Sequence, residues 1–347
     1  MAKLRVAVLM GGPSSEREVS LRSGQMVLKN LAPEQYAAFG VELNELLDSA
    51  TAIAELAARA DFVFLALHGR LGEDGTIQGL LDALGLPYQG SGVMASAIAM
   101  NKVRSKSVYA ELGIPQARWL DWRHLGDGRW QRGNAARHAE RGLEALTELE
   151  LAQICCAELG EDLVLKGASQ GSTLGLAMVQ GQPAFAPALR EVAPYDDEIL
   201  VEERIRGLEV TASVLGGSAP LALPLVEIRP RTRDVFDYEA KYTPGATDEI
   251  CPARIPADLT AAVQHLALRA HHGIGCEGAS RSDFILRDGQ PYILETNTLP
   301  GLTEGSLLPQ AARAAGIMMP VLLDRLVSDG LQRAARRSTR RAEHPQA

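Results

Sequence analysis

Short apolar runs alternate with amphipathic stretches along the first ninety residues of the chain. The run Arg5–Met10 predicts a buried strand, and after a Gly-rich turn a helix is expected from about residue 16 to residue 30. A second buried strand is predicted at Phe62–Leu67. This alternation indicates a parallel sheet with helices on its faces. Ligands of such sheets bind beyond the carboxyl ends of the strands, where residues 11–18 and 68–75 are expected.

Residues 91–202 form a second segment with a more mixed pattern. A helix is predicted at Ala95–Leu112, and the Ala-, Leu- and Glu-rich stretch Arg137–Gly160 predicts another. The apolar run Leu163–Lys166 predicts a buried strand. Glycines and charged residues in Asp121–Gly133 favour a surface loop.

Residues 203–329 form a third segment, with further strands, a polar loop at Arg229–Ala253 and a helix at Leu259–Gly273. Residues 330–347 carry several arginines among small polar residues. They predict a frayed, solvated basic tail, with a binding arm for an anionic partner as the alternative.

Composition narrows the class of protein. At 347 residues the chain fits two or three subdomains, and 46% hydrophobic with 22% charged residues is ordinary for a globular protein. The net charge of −8 argues against a nucleic-acid partner, and no apolar run is long enough to span a membrane. The N-terminus does not fit a signal peptide. The four cysteines form no Cys-x-x-Cys pair, which favours reduced thiols and a cytoplasmic location.

A cluster of oxygen-bearing side chains near the C-terminus carries the strongest chemical signal. Asp283 opens one apolar run, and Glu295 and Asn297 close the next. Asp288-Gly289, between the runs, predicts a hairpin turn that can bring Asp283 beside the other two side chains. Two carboxylates and an amide oxygen suit Mg²⁺ that bridges nucleotide phosphates. The alternative is a solvated hairpin with scattered charges.

A Gly- and Ser-rich turn follows the strand that ends at Lys166. Gly171 and Gly175 permit close backbone approach, Ser172 and Thr173 offer hydroxyls and amides, and Lys166 can reach a phosphate. The lysine precedes the glycines, so this is not a Walker A loop. An ordinary turn without a ligand is the alternative.

Three other positions are candidates on local grounds. The strand that begins at Ile199 could offer an apolar slot for adenine, with Glu209 for the ribose, or it is an edge strand with solvated acids. His68 ends an apolar strand before a Gly-rich loop, which favours a site role over simple packing. Glu16 begins a helix, where an acid also compensates the helix dipole.

Several longer motifs, in this order, together resemble the D-alanine–D-alanine ligases, a family of the ATP-grasp superfamily. The resemblance covers residues 4 to about 327. The motifs that carry it are Gly11–Ser20, Leu67–Gly75, Tyr88–Gly92, Asn101–Lys106, Asp237–Tyr242 and Glu295–Leu307.

The resemblance implies an α/β protein, α+β overall, with the ATP-grasp fold. An N-terminal α/β domain with a parallel sheet would span residues 1–90, and two α+β subdomains, residues 91–202 and 203–329, would clamp ATP. Members of the family phosphorylate one D-alanine with ATP, and the amine of a second D-alanine then attacks the acyl phosphate. The dipeptide serves peptidoglycan precursor synthesis, and the enzymes are usually homodimers.

The resemblance also implies roles for individual residues at the nucleotide. Lys102, Lys166 and Ser172 would contact phosphates, and Asp283, Glu295 and Asn297 would bind two Mg²⁺ or Mn²⁺ ions. The residues expected around the adenosine are Glu202, Glu203 and Ile205 at the adenine and Glu209 at the ribose.

Further residues are implied at the two D-alanines. Glu16 would pair with the first ammonium, near His68, and Arg281 and the Gly301 amide would stabilise the oxyanion. Ser306 and the Leu307 amide would receive the second carboxylate. Lys241 and Tyr242, on a mobile lid, would close over the site, with Tyr242 contacting Ser172 and Glu16.

Three positions depart from the commonest family pattern. Asn101 stands where Asp is usual, Gly167 replaces a usual Pro and is expected to loosen the phosphate loop, and Leu302 replaces a usual Met. Three competing interpretations remain open: a D-alanine–D-lactate ligase, another ATP-grasp carboxylate–amine ligase, and a non-catalytic nucleotide-binding regulator. The Lys241-Tyr242 pair favours an amine nucleophile over the first of these.

Overall fold

The computed structural model describes residues 2–133, 145–171, 175–217, 219–230 and 247–343. The N-terminal part is a parallel three-stranded sheet with the strand order β2-β1-β3. Its strands β1–β3 are Leu4–Met10, Tyr36–Glu42 and Phe62–Leu65. Its helices α1–α4 are Arg17–Asn30, Leu43–Leu47, Ala50–Arg59 and Thr76–Leu84.

The parallel sheet explains why its strands read as continuous apolar runs. Residues 6–10 of β1 and all four residues of β3 are buried, because helices cover both faces. The strand and helix predicted for the first thirty residues are confirmed, and β3 ends two residues earlier than expected. Glu16 and His68 follow the carboxyl ends of β1 and β3, so both lie at the edge where ligands of parallel sheets bind.

The central part is an antiparallel five-stranded sheet with the order β5-β4-β8-β6-β7. Its strands β4–β8 are Trp119–His124, Trp130–Arg132, Asp162–Gly167, Leu176–Gln180 and Glu198–Glu203. Helices α7, Glu148–Leu159, and α8, Phe185–Val192, pack on it, and single 3-10 turns lie at Gln182–Ala184 and Ala193–Tyr195.

The surface loop predicted at Asp121–Gly133 is wrong. This stretch contains the β4–β5 hairpin, and Trp122 and Trp130 are buried in the core beneath α7. The turn residues that suggested a loop are confined to its tip, where Asp127 has a φ of 52°. Of the helix predicted at Arg137–Gly160, residues 137–144 lie outside the described residues. In the described part, α7 begins at Glu148, because Thr147 caps it in a capping box with Glu150.

The third part is a six-stranded antiparallel sheet in the order β12-β11-β9-β13-β14, with β10 paired to β9. Strands β9–β14 are Leu208–Leu215, Leu221–Ala222, Val226–Pro230, Thr247–Ile250, Ala279–Arg287 and Gln290–Asn297. Helices α9–α11 are Ala257–Ile274, Leu307–Ala314 and Met319–Glu343.

The single helix predicted at Ala95–Leu112 is two helices. These are α5, Val93–Met100, and α6, Lys102–Glu111. Asn101 separates them, because its backbone is extended and its side chain caps α6 by accepting from the Arg104 amide at 3.0 Å. Their buried residues Ala95, Ala99 and Tyr109 pack in the core of the third sheet, although the sequence assigned them to the central segment. Val103 packs instead against Ala168 and Leu200 of the central part.

The frayed tail predicted from residue 330 is wrong for residues 330–343, which continue helix α11. Arg333 is buried in this helix, donates to the Tyr88 carbonyl at 2.6 Å and lies 3.2 Å from Glu277. These contacts order the helix against the N-terminal domain, whose core contains Leu322 and Leu326. Among the described residues, no helix combines the length and the apolarity needed to cross a membrane.

Candidate active site

The polar hairpin predicted near the C-terminus is present as strands β13 and β14. Asp288 and Gly289 form its turn with φ values of 53° and 76°, which a Gly-containing hairpin turn favours. Asp283 lies directly opposite Glu295, and Arg281 lies opposite Asn297. Cross-strand partners share a face, so the four side chains project to the same side of the sheet. The juxtaposition of the three predicted metal ligands is therefore confirmed, and their role remains a prediction.

Arg281 and Asp283 form a bidentate ion pair. Nε lies 2.8 Å from Oδ1, Nη2 lies 2.9 Å from Oδ2, and both side chains are mostly buried. Burial alone would lower the pKa of Arg281. The charge and hydrogen bonds of Asp283, together with the charge of Glu295, outweigh burial and raise the pKa. A fixed guanidinium beside carboxylates suits the recognition of a second anion.

The donor set on the hairpin fits a hard divalent cation. Asp283 and Glu295 offer carboxylate oxygens, and Asn297 offers an amide oxygen held in place by the Leu299 amide at 2.8 Å. Within the described ranges, no group of three or more His, Cys, Asp and Glu side chains could hold a metal alone. Mg²⁺ is usually held by one or two carboxylates and completes its coordination with waters and phosphate oxygens, so this donor set suits a nucleotide-bound Mg²⁺.

Glu202, which was expected at the adenine, lies between two lysines. Its Oε1 is 2.6 Å from Lys106 Nζ, and its Oε2 is 2.7 Å from Lys166 Nζ. Burial raises the pKa of Glu202, but the two lysines lower it to about 2. Sequence reasoning missed Lys106, although it stands one helical turn after Lys102, which was the available signal.

Lys102 begins helix α6 beside the phosphate loop. Its backbone amide donates to the Ala168 carbonyl at 2.7 Å, its ammonium donates to the Gln170 carbonyl, and it lies 3.6 Å from Glu295. The helix therefore joins the Gly- and Ser-rich turn to the β13–β14 hairpin. Its N-terminal amides also add a positive end to this region.

The loosening expected from Gly167 stays a prediction, because residues 172–174 of the loop lie outside the described residues. At the described ends of the loop, the Ser169 amide donates to Asp196 at 2.6 Å, and the Gly167 amide donates to the Gly175 carbonyl at 3.0 Å. The side-chain amide of Asn101, which stands in place of the usual Asp, donates to Glu198 of β8 at 3.0 Å. Asn101 therefore forms a polar contact with the central sheet.

The remaining residues expected at the nucleotide lie in different settings. Burial lowers the pKa of Lys166, but the nearby carboxylates of Glu202, Glu295 and Glu209 outweigh this effect and raise it. Ile205 is buried. The carboxylate of Glu203 accepts from the Arg118 amide and Nε at 3.0 and 2.8 Å, so its side chain is already engaged.

A cavity of about 850 Å³ connects the hairpin with the N-terminal domain. Its walls include the nucleotide-side residues Lys102, Glu295 and Asn297. The predicted substrate residues that also line it are Glu16, His68, Arg281, Gly301, Ser306 and Leu307. The structure therefore brings the predicted substrate residues and three of the predicted nucleotide and metal residues to one space large enough for small ligands. The other predicted nucleotide and metal residues in the described part of the chain do not line this cavity: Lys166, Glu202, Glu203, Ile205, Glu209 and Asp283.

His68 and Glu73 face this cavity from the loop after β3. His68 is buried, and its Nε2 lies 3.1 Å from the Ser23 hydroxyl. Burial lowers the pKa of His68; the charge of Glu16 opposes this effect, and the charge of Arg281 adds to it. Sequence reasoning did not single out Glu73. It accepts from the Gly69 amide at 2.6 Å, and burial together with Glu16 raises its pKa to about 8.

Glu16 stands at the N-terminus of α1 without capping it through its side chain. Its position still gives the carboxylate a favourable interaction with the helix dipole, which needs no capping hydrogen bond. A Cβ built on Gly69 or Gly171 would lie 3.3 or 3.7 Å from Glu16 Oε2, so these backbone segments approach the carboxylate closely. The glycines at both positions keep the space around this buried acid open.

The far end of the cavity is formed by the N-terminus of helix α10. Ser306 precedes the helix, and its hydroxyl lies 2.7 Å from the Thr303 hydroxyl and accepts from the Thr303 amide. A Cβ on Gly301 would meet the Ser306 hydroxyl at 2.9 Å, so glycine is needed for this close approach. A helix N-terminus with a hydroxyl beside it suits a carboxylate.

Three predicted site residues, Ser172, Lys241 and Tyr242, lie outside the described residues. So does most of the predicted lid, residues 231–246.

Comparisons with known proteins agree on one family. A profile described as D-ala D-ala ligase N-terminus matches residues 44–91, and one described as D-ala D-ala ligase C-terminus matches residues 137–328. A D-alanine–D-alanine ligase of Pelotomaculum thermopropionicum is 46% identical over 93% of this chain and 96% of its own length. The ligase of Syntrophobacter fumaroxidans is 44% identical over 95% of this chain and 98% of its own.

Solved structures give the same result. The D-alanine–D-alanine ligase of Bacillus anthracis superposes with a TM-score of 0.78 and 35% identity, covering 96% of this chain and 99% of that one. The same enzyme complexed with ATP also superposes with a TM-score of 0.78, at 33% identity and the same coverage.

Proposed function

The chain belongs to the D-alanine–D-alanine ligase family, and on that premise we propose how its residues carry out the reaction. It is an ATP-dependent ligase that forms D-alanyl-D-alanine for peptidoglycan precursor synthesis. The observation that carries the assignment of residues is the shared cavity. It joins the hairpin of Asp283, Glu295 and Asn297 to Glu16, His68 and Ser306.

The nucleotide lies on the side of the lysines. Lys102 and Lys166 hold the phosphates, with Ser172 beside them, while Glu209 takes the ribose hydroxyls. Adenine lies against Ile205, with Glu202 and the backbone of Glu203 as its polar partners. The contact of Lys102 with both Glu295 and the Gln170 carbonyl supports this arrangement, because it sets a cation between the phosphate loop and the hairpin.

Asp283, Glu295 and Asn297 are the residues that would hold two Mg²⁺ or Mn²⁺ ions. When bound, the ions neutralise the phosphate oxygens during phosphoryl transfer. The all-oxygen donor set supports this assignment.

The first D-alanine is activated as an acyl phosphate. Glu16 pairs with its ammonium, which points the carboxylate toward the γ-phosphate. A carboxylate oxygen forms a bond to phosphorus, and the bond from phosphorus to ADP breaks. Arg281 and the Gly301 amide then stabilise the negative charge on the carbonyl oxygen in the next step.

The second D-alanine supplies the amine. Ser306 and the Leu307 amide receive its carboxylate at the N-terminus of α10. The amine nitrogen forms a bond to the carbonyl carbon, the carbon–oxygen bond to phosphate breaks, and the amine loses a proton. The neutral state favoured for the buried His68 ring supports its place near the ammonium of the first D-alanine, which a charged ring would repel.

Three further proposals rest on the family alone. Lys241 and Tyr242 close a lid over the site, the lid excludes water from the acyl phosphate, and Tyr242 contacts Ser172 and Glu16. The protein acts as a homodimer, which light scattering of the purified protein would test. It works in the cytoplasm, where ATP is available.

The proposed function is tested by following ADP release with D-alanine, with and without D-lactate, and identifying the products by mass spectrometry. We expect D-alanyl-D-alanine together with stoichiometric ADP and phosphate. A depsipeptide as the main product would support the D-lactate ligase instead, and ADP release without either product would contradict both.

A further inference from the structure

Lys106 is a buried cation to which the proposed reaction assigns nothing. Its side chain is 0% exposed, and its ammonium lies 2.6 Å from Glu202 Oε1. Its other polar neighbour is the side-chain oxygen of Gln116, to which it donates at 3.4 Å. Burying an ammonium costs several kcal/mol unless a partner compensates it, so its presence calls for a physical reason.

Glu202 is shared between two lysines that differ in access to the site. Lys106 takes one carboxylate oxygen from the buried side, and Lys166 takes the other at 2.7 Å. The side chain of Lys166 is 16% exposed. Two cations and one anion leave a net charge of +1, and Lys166 is the member that can present it to a ligand.

The position of Lys106 is fixed from a second direction. Gln116 Nε2 donates to the Lys106 carbonyl at 2.9 Å, and Gln116 also pairs with Ile293 of β14 in an isolated bridge. The turn of α6 that carries Lys106 is therefore tied to the hairpin of the proposed metal ligands. Both lysines hold the pKa of Glu202 at about 2, so the carboxylate between them is ionised. Burial lowers the pKa of Lys106, and the contact at 2.6 Å with this carboxylate opposes that effect and keeps the ammonium charged.

We propose that Lys106 is a positioning residue for the nucleotide: it neutralises Glu202 from the buried side and so leaves the charge of Lys166 to the phosphates. This inference rests on the proposed function, in which Lys166 contacts phosphate. Without Lys106, the carboxylate would pair with Lys166 alone, and the net positive charge of the cluster would be lost. Lys166 would still hold Glu202 in place beside the adenine, so the effect falls on phosphate binding and spares the recognition of the nucleoside.

The alternative is that Lys106 only fastens helix α6 to the central sheet. If the role of Lys106 were only structural, its loss would disturb the whole nucleotide site and weaken the binding of every ligand alike. The charge effect would act on ADP and not on adenosine, which lacks phosphates. The ratio of the two affinities therefore separates the two roles.

The test compares four variants of the full chain by titration with Mg-ADP and with adenosine. K106M removes the charge, K106Q removes it but keeps a hydrogen-bond donor, and K106R keeps it. V103A is the matched control, because Val103 is fully buried in the same helix and carries no charge. All four are also checked for cooperative thermal unfolding.

We expect K106M and K106Q to weaken ADP binding at least about tenfold while adenosine binding changes less than about twofold. The KM for ATP should rise with little change in kcat, and K106R should restore ADP binding to within about threefold. V103A should lower thermal stability and leave the affinity ratio unchanged.

Two results would overturn the proposed role of Lys106. In the first, K106Q weakens the binding of ADP and of adenosine equally; in the second, K106Q binds ADP as tightly as the wild type. If K106M does not fold, K106Q and K106R still decide the question. The proposed function is judged separately, because it requires the wild-type protein to form D-alanyl-D-alanine, whereas the role of Lys106 is read from binding alone.

Discussion

The Arg281 guanidinium donates to both carboxylate oxygens of Asp283, two residues away on the same strand, at 2.8 and 2.9 Å. The pair stands on the face of the hairpin that also carries Glu295 and Asn297. One side chain thus orients a proposed metal ligand and presents a guanidinium to the substrate cavity. In the proposed reaction, this contact couples the metal site to the stabilisation of the oxyanion.

We predict that Arg281→Lys lowers kcat by about 100-fold while the KM for ATP changes less than about threefold. Lysine keeps the charge but loses the planar fork that can address two oxygens at once. Steady-state kinetics with D-alanine and ATP as variable substrates will measure both constants.

Arg287→Lys is the matched control, because Arg287 ends the same strand and contacts Tyr292 near the turn, away from the cavity. It should behave as wild type. A rise in the KM for ATP with unchanged kcat in Arg281→Lys would instead assign Arg281 to nucleotide binding.

We predict that Glu295→Gln abolishes ligation and Mn²⁺ binding in the presence of ADP, while the fold is retained. The substitution removes one carboxylate from a donor set whose members share one face of the hairpin. Titration of Mn²⁺ by electron paramagnetic resonance, together with a thermal melt, will separate metal binding from stability.

Glu304→Gln provides the control for this variant, because Glu304 lines the same cavity away from the hairpin. We expect its Mn²⁺ affinity to match that of the wild type. Ligation by Glu295→Gln at a near-parental rate under saturating Mg²⁺ would remove Glu295 from the metal site.

The hairpin could be predicted from the sequence because its determinants are local. Asp288-Gly289 specifies the turn, and the two-residue period then decides which side chains share a face. Lys106 and Glu73 could not be found in this way. Their contacts, with Glu202 and with the Gly69 amide, form only when distant or looping segments fold together.

The errors in the fold have the same physical origin. Glycines near residues 126–128 suggest a loop, but the flanking residues Trp122 and Trp130 find a buried face only once helix α7 covers them. The arginine-rich C-terminus looks solvated in sequence, because nothing local shows that Tyr88 will accept from Arg333. Local sequence patterns predict individual helices and strands. Where such a pattern misleads, as at the β4–β5 hairpin and the C-terminal helix, contacts between distant residues decide the structure.

We predict that the buried ring of His271 makes the protein less stable in mild acid. Burial lowers its pKa to about 4, from an ordinary value of about 6.5, while its Nδ1 lies 2.7 Å from the Ser280 hydroxyl. The unfolded chain therefore binds a proton more readily than the native one between these values. The stabilisation is present above about pH 6.5 and is lost as the pH falls toward 4.

Urea unfolding of the wild type and His271→Asn at pH 7 and pH 5 will test this, since asparagine does not titrate. The difference in unfolding free energy between the two proteins should shrink at pH 5. His265→Asn, which changes an exposed histidine of the same helix, is the control and should follow the wild type. An equal pH dependence in all three proteins would exclude His271 as the source.

The last prediction concerns the C-terminal helix, in which Arg333 is the buried anchor. Its guanidinium donates to the carbonyls of Tyr88 and Gly90, pairs with Glu277 and lies 4.1 Å from the Tyr88 ring centre. Arg333→Met would leave the two buried carbonyls without these donors, so we expect a loss of about 3 kcal/mol in unfolding free energy. Arg336→Met changes an exposed arginine one turn away and should cost less than about 0.5 kcal/mol. Urea denaturation of both variants measures the difference, and equal stabilities would show that the helix is held by its apolar face alone.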